Sequence, residues 1–225
     1  MFEGEEPMPS ALIVTGGNLE MNSRVQSIIE KSDYIVAADA GVEHCLQHKI
    51  IPDLVVGDFD SIKSESMELV KQLNWNIETF PEEKDKTDGE LALLKALEQK
   101  AHEIWIIGGI LGEDRFDHGI GNLFLLTSEV LKDTTISMTD GQHEVYVVRS
   151  RQSIEIKGTS RDTLSMISIE PETHGITSWG LKYDLLGMTI TRGSTRGMSN
   201  TFLWKKVEIS ISKGLLLVMV DRQTK

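Results

Sequence analysis

The stretch DYIVAADAGVEHCLQHKIIPDLVVGDFDS, residues 33–61, decides the fold. Its two short runs, DYIVAAD and DLVVGD, are rich in Val, Ile and Ala, the pattern of strands covered on both faces. Between them, residues 42–47 read as a helix. Strand, helix, strand predicts a parallel pair joined by a helical crossover.

Working outward, ALIVTG precedes this unit, and NIETF and EIWIIGG follow it as further strands. Helical segments are expected near residues 21–31, 63–73, 88–100 and 117–131. The whole implies an α/β domain with a parallel sheet and helices on its faces. After about residue 133 the pattern changes. TTISMT, HEVYVVRS, SIEIKG, TLSMISIE, KVEISIS and LLLVMV are short, often alternating, and punctuated by Gly, Asp or Ser. They predict an all-β sandwich. The expected domains are therefore 1–135 (α/β) and 136–225 (β-sandwich), the last two strands forming a hairpin about Lys213-Gly214.

Composition narrows the function. With 23 basic and 35 acidic residues the net charge is −12, which disfavours a nucleic-acid backbone or an anionic membrane as partner. No apolar run approaches the roughly 20 residues that cross a bilayer. The acidic start MFEGEEPMPS lacks the basic and apolar regions of a signal peptide. The single cysteine, Cys45, fits a reducing compartment, so a cytoplasmic location is expected.

Carboxylates gather where a parallel sheet binds ligands, beyond the carboxyl ends of its strands. Asp39 follows DYIVAA, and Asp58 and Asp60 follow DLVVG. In an extended chain these last two share a face and Phe59 points the other way. Asp85 and Asp88 lie at the mouth of a helix. Each has a plain structural reading as well: Thr87 with Glu90 matches a capping box, and aspartates are common in turns. Together they form a set of hard oxygen ligands suited to Mg²⁺, which bridges carboxylates and phosphates. The Gly-rich segment IIGGILGEDRFDHGIGN adds Arg115, Asp117, His118 and Asn122, and Arg suits forked contacts with phosphate. His44 and His48, four apart, are expected on a solvated helix face, and Trp105 in the core. Trp179 and Tyr183 suit either interface packing or ligand contact.

GDFDSI at 57–62, KDKTD at 84–88, RFDH at 115–118, and GLKYDL followed by SNT resemble the thiamine pyrophosphokinase family. AADAG at 37–41 and PDLVVGDFDS match in order and spacing too, so the resemblance spans residues 11 to 222. It implies an α/β nucleotide-binding domain, a β-sandwich, and a homodimer whose shared active sites take thiamine, ATP and Mg²⁺. Metal and phosphate roles would fall to Asp58, Asp60, Asp85 and Asp88, with Asp58, Asp60 and Asp88 as metal ligands. Asp39, Arg115, Asp117, His118 and Asn122 would line the ATP side, and Ser199, Asn200 and Trp204 the thiamine side. The reaction implied is pyrophosphoryl transfer to the thiamine hydroxyl, leaving AMP, with Asp85 or Asp88 accepting the proton. Two other readings use parts of the same residue set. A metal-dependent phosphate-ester hydrolase needs the aspartates but no aromatic thiamine site. A non-catalytic thiamine or nucleotide sensor needs the fold alone.

Overall fold

A computed structural model describes residues 9–110 and 116–223 of the 225-residue chain. The chain divides into two compact units, one ending at Gly141 and the other starting at Gln142. Among the described residues no helix is long and apolar enough to cross a membrane.

The first unit carries six strands: β1 (Ser10–Val14), β2 (Tyr34–Ala38), β3 (Leu54–Gly57), β4 (Ile77–Thr79), β5 (Glu103–Ile107) and β6 (Thr135–Thr139). They pair in the order β6-β5-β1-β2-β3-β4, every pair parallel. Its helices are α1 (Ser23–Lys31), α2 (Gly41–His48), α3 (Ser64–Gln72), α4 (Asp88–Glu98) and α5 (Phe116–Leu125). Local chemistry sets their limits. Asn22 caps α1 by accepting from the backbone N–H groups of Arg24 and Val25, and Lys49, left-handed at φ 57°, stops α2. One sheet face packs Leu12, Val14, Ala37, Val55 and Ile107 against Val25, Val42, Cys45 and Val70 of α1–α3. The alternate residues Ala11, Ile13 and Val36 are buried too, and α4 crosses β1–β3 with Ala92, Leu93 and Ala96 buried. Burial pushes the Cys45 thiol up to about 12, so it stays protonated and serves as core.

After β4 the chain returns through α4 to place β5 on the far side of β1. The order of strands reverses between β1 and β5, and such a switch point opens a crevice at their carboxyl ends.

The second unit holds β7 (His143–Arg149), β8 (Ser153–Lys157), β9 (Thr163–Ser168), β10 (Glu172–Trp179), β11 (Met188–Thr191), β12 (Asn200–Thr201), β13 (Lys206–Ser210) and β14 (Leu215–Asp221). They make two antiparallel sheets, β12-β9-β14-β7 and β11-β10-β13-β8. Val148, Leu164, Met166 and Val218 of the first pack with Ile156, Ile176, Val207 and Ile209 of the second. Near the start of β7 and the end of β14 the fully buried Glu144 is held by Arg222 Nη2 and Tyr146 Oη, each at 2.5 Å, while Arg222 Nη1 reaches Asp162 at 3.0 Å. Burial pulls the Arg222 pKa down, but these carboxylates outweigh it and leave the guanidinium more firmly charged than in water.

The structure differs from the sequence-based expectation in four places. TTISMT, grouped there with the β-sandwich, is β6 of the parallel sheet, which moves the boundary from after residue 135 to after Gly141. Ile136, Ser137, Met138 and Thr139 are all buried, as two-sided cover requires, although polar residues alternate along the strand. KVEISIS and LLLVMV are no hairpin: β13 pairs with β8 and β10, whereas β14 pairs with β7 and β9 in the other sheet. Successive burial of Leu215–Val218 suits a central strand rather than a half-solvated hairpin arm. The helix expected over 117–131 ends at Leu125, and a short 3₁₀ turn covers Glu129–Leu131. Strands β10, β11 and the two-residue β12 were not foreseen. Gly175 interrupts the apolar alternation of β10 beside a register shift in its pairing with β11.

Candidate active site

The crevice at the switch point is a cleft of about 470 Å³ inside the first unit. Its floor is glycine. Thr15-Gly16-Gly17 leaves β1, and Gly108-Gly109 leaves β5. The Gly17 amide donates to the Gly108 carbonyl at 2.9 Å, and a Cβ on Gly17 would lie 2.3 Å from that oxygen. No other residue allows the two loops to approach so closely. His44 Nε2 lies 2.7 Å from the Gly17 carbonyl and Asn122 Nδ2 donates to Gly109 O at 3.0 Å, so each loop is held from a neighbouring helix. His44 therefore corrects the expectation of a solvated helix face. It stacks on His48 at a centroid distance of 6.2 Å while its Nε2 turns to the cleft floor.

The acidic wall comes from β2, β3 and α4. Asp39 follows β2 in a left-handed conformation, φ 43°, which short polar side chains tolerate. Asp58 and Asp60 do not lie on an extended chain, because Phe59 between them has φ 66°. The turn still sends the Phe59 ring into the α1–α3 core and brings carboxylate oxygens of Asp39, Asp58 and Asp60 within 4.8 Å of one another. Asp39 Oδ1 is buried without a hydrogen-bond partner. Burial, then the negative charges of Asp88 and Asp58, push the Asp39 pKa up, against the opposing pull of the Ala40 amide and Ser61 hydroxyl.

Asp88 opens α4 beneath a cap made by Thr87, whose Oγ1 accepts from the Glu90 amide at 3.2 Å. Thr87 thus caps the helix as expected, and Asp88 lines the cleft as well. Lys84, which sequence reasoning did not single out, joins the two walls. Its Nζ lies 2.6 Å from Asp58 Oδ2 and 2.9 Å from Asp88 Oδ1. The bond from Lys84 holds the Asp58 pKa below the usual carboxylate range.

Other expected residues separate into those the cleft gathers and those it does not. Asp39, Asp58, Asp60, Asp88, His118 and Asn122 line it. Asp85 is exposed and is not among the lining residues, because it lies in the turn before α4 whereas Asp88 is in the helix. Asp117 points outward, 72% exposed, with His118 Nε2 3.9 Å from its Oδ2. Arg115 lies outside the described residues. Thr15, Gly16, Gly17 and Asn18 also line the cleft, and sequence reasoning passed over them. The signal was there: a Thr-Gly-Gly directly after the first parallel strand.

In the second unit, Asn200 is buried with its amide committed to local backbone. Its Oδ1 accepts from the Tyr183 and Thr201 amides, and its Nδ2 donates to Tyr183 O at 2.7 Å. It therefore shapes the loop that presents Tyr183. Ser199 is exposed, with φ 57° and its amide on Ser165 Oγ. Trp204 stacks on Trp179, centroids 6.2 Å apart and planes within 3°. Both rings are more than half exposed, as are Tyr183 and Leu186.

The comparisons with known proteins agree with this division. The family model described as thiamin pyrophosphokinase, catalytic domain, matches residues 25–138, and that of the vitamin B1 binding domain matches residues 143–216. Thiamine pyrophosphokinase of Bacillus subtilis is 30% identical over 94% of this chain and 98% of its own length. The crystal structure of the Bacillus subtilis protein superposes with a TM-score of 0.84 at 28% identity, covering 96% of this chain and all of that one. The Geobacillus thermodenitrificans structure gives 0.80 at 29% identity, with 96% and 99% covered. The two family matches adjoin where the two structural units meet, and together they span most of the sequence: the chain belongs to the thiamin pyrophosphokinase family.

Proposed function

We propose that this protein transfers the pyrophosphoryl group of ATP to the hydroxyl of thiamine, giving thiamine diphosphate and AMP. The observation that carries the reading is the convergence of Asp39, Asp58 and Asp60 within 4.8 Å beside glycine loops at the switch point. Glycine backbone permits close approach of phosphate, and three clustered carboxylates need a cation before a polyphosphate can enter.

The donor set fits Mg²⁺. It is all hard oxygen, and the buried Asp39 Oδ1 lacks the hydrogen-bond partner that a buried acceptor ordinarily has. Asp39, Asp58 and Asp60 would hold the ion, with Asp88 facing the same space. When bound, the ion would neutralise charge on the transferred phosphates. The chain supplies alignment. Gly16-Gly17 and Gly108-Gly109 would cradle the phosphate chain, His44 and Asn122 keep those loops in place, and Asp88, lining the same cleft, would accept the hydroxyl proton. The exposed Trp179–Trp204 pair offers a flat aromatic face for the rings of thiamine. Phe116, Ile120 and Phe124 form an exposed apolar stripe along α5, and with the aromatic surface of the second unit they support a homodimer with shared sites. The lone cysteine, buried and un-ionised, suits a cytoplasmic setting.

The test is an incubation with ATP, Mg²⁺ and thiamine, following nucleotides by chromatography through the first turnovers. AMP and thiamine diphosphate should appear together, and chelation should stop both. ADP with thiamine monophosphate would refute pyrophosphoryl transfer. ATP loss without thiamine would indicate a hydrolase, and binding without turnover a sensor.

A further inference from the structure

Lys84 is unlike an ordinary surface ion-pair partner. Its side chain is only 13% exposed, and it spans from the turn before α4 to the end of β3, 26 residues away. There it bonds a carboxylate that is itself 14% exposed, while its second contact, Asp88, is 20% exposed. A lysine ammonium this close to two carboxylates is charged at neutral pH. Both oxygens of Asp58 are engaged: Oδ2 by Lys84, and Oδ1 by the Asp60 amide at 3.3 Å. A divalent cation that takes Asp58 as a ligand must displace one of these contacts or share an oxygen with one of these donors.

We infer that Lys84 is a positioning residue that occupies the place of a cation between Asp58 and Asp88, holding the acidic wall in register until a divalent ion takes over Asp58. The inference rests on the proposed use of this cleft for a divalent ion and a polyphosphate. Without Lys84, the carboxylates of Asp39, Asp58, Asp60 and Asp88 face one another with less positive charge between them, and the metal-free protein loses order at this wall. Lys84 also opposes an incoming cation, through its own charge and through its hold on Oδ2. Its removal has opposite effects on two measurable quantities. Metal-free stability falls and divalent-cation affinity rises.

The experiment uses the full chain stripped of metal with EDTA, as wild type, Lys84→Met, Lys84→Gln and Lys84→Arg. Thermal unfolding is followed without metal, and Mn²⁺ is then titrated calorimetrically with no nucleotide present. Lys84→Met and Lys84→Gln should melt below wild type yet bind Mn²⁺ about three- to tenfold more tightly, as expected on removing a nearby positive charge. Lys84→Arg should stay close to wild type in both. Lys84→Gln keeps a polar amide in place of the charge, so it reports on charge even if Lys84→Met folds poorly. Unchanged or weaker Mn²⁺ binding in a folded Lys84→Gln protein would overturn the inference and leave Lys84 a structural tie. Failure of the wild type to bind Mn²⁺ would refute both this inference and the divalent-ion reading of the cleft, whereas wild-type binding with an unresponsive Lys84→Gln refutes this inference alone.

Discussion

At the scale of single residues, the site is a problem of charge. Asp39, with one carboxylate oxygen buried and unpartnered, ionises less readily than a free carboxylate, and a cation would offset that cost. Because its folded pKa is raised, the folded protein holds this proton to higher pH than the unfolded chain does. Its ionisation therefore costs stability as pH rises above about 4, the ordinary carboxylate value. Asp58 has the opposite sign: Lys84 depresses its pKa, so it adds stability above that pH and loses it on acidification. Asp39→Asn should therefore raise the metal-free melting temperature at pH 7 by about 1–3 °C, a shift that corresponds to under ~1 kcal/mol for a chain of this size. The gain should vanish near pH 4, and the variant should lose most of the stabilisation that Mg²⁺ gives wild type. Melting curves at the two pH values, with and without Mg²⁺, check this. A variant less stable than wild type at pH 7 without metal would mean that the carboxylate is satisfied by contacts other than a cation.

At the scale of elements, strand ends and helix starts perform different tasks, and substitutions should separate them. Thr87→Ala removes the cap of α4 and should cost about 1 kcal/mol of stability while activity stays within a few-fold of wild type, since Asp88 remains in place. Gly17→Ala should behave otherwise. Its new methyl would meet the Gly108 carbonyl at 2.3 Å, so the β1 and β5 loops must part. A stability loss of about 1–3 kcal/mol is expected, as for other overpacked positions, together with a large rise in the KM for ATP. Urea unfolding and steady-state kinetics on both variants decide the point. Equal KM values for ATP in wild type and Gly17→Ala would remove the glycine loops from the nucleotide site. This scale also shows how legible the elements were. The strands 33–39 and 53–58 and the helix between them are evident in the sequence because their apolar residues are contiguous and their ends carry Gly, Pro or Asp. Strand β10 was hidden because its alternation is broken at Gly175, where the chain takes φ 65°. The register and partners of β13 and β14 were hidden because a Lys-Gly link serves a hairpin and a sheet-to-sheet crossing equally well.

At the scale of the whole molecule, the expectation is a homodimer. Trp179, Tyr183, Leu186 and Trp204 in the second unit, and Phe116, Ile120 and Phe124 in the first, are apolar groups exposed beyond ordinary scatter. Sedimentation at micromolar concentration should give the mass of two chains. If the sites are shared, Asp58→Asn and Trp204→Ala, each nearly inactive alone, should recover up to about a quarter of wild-type activity after subunit exchange, because one hybrid site in two carries both native residues. An active monomer, or no recovery despite demonstrated exchange, would assign each site to a single chain.

The sequence by itself determined the parallel α/β unit, the β-rich unit after it and the carboxylates at the strand ends. Those features rest on local periodicity and on glycine and aspartate placed at the ends of apolar runs. It also carried the family motifs, which are short and contiguous. Only the tertiary structure decided that Lys84 reaches across to Asp58, that His44 grips Gly17, that Asp85 stays outside the cleft and that Asn200 is committed to Tyr183. Only it assigned β6 to the first sheet and parted β13 from β14. Each of these depends on which residues, often distant in sequence, are brought within a few ångströms by packing, and no local pattern encodes that choice.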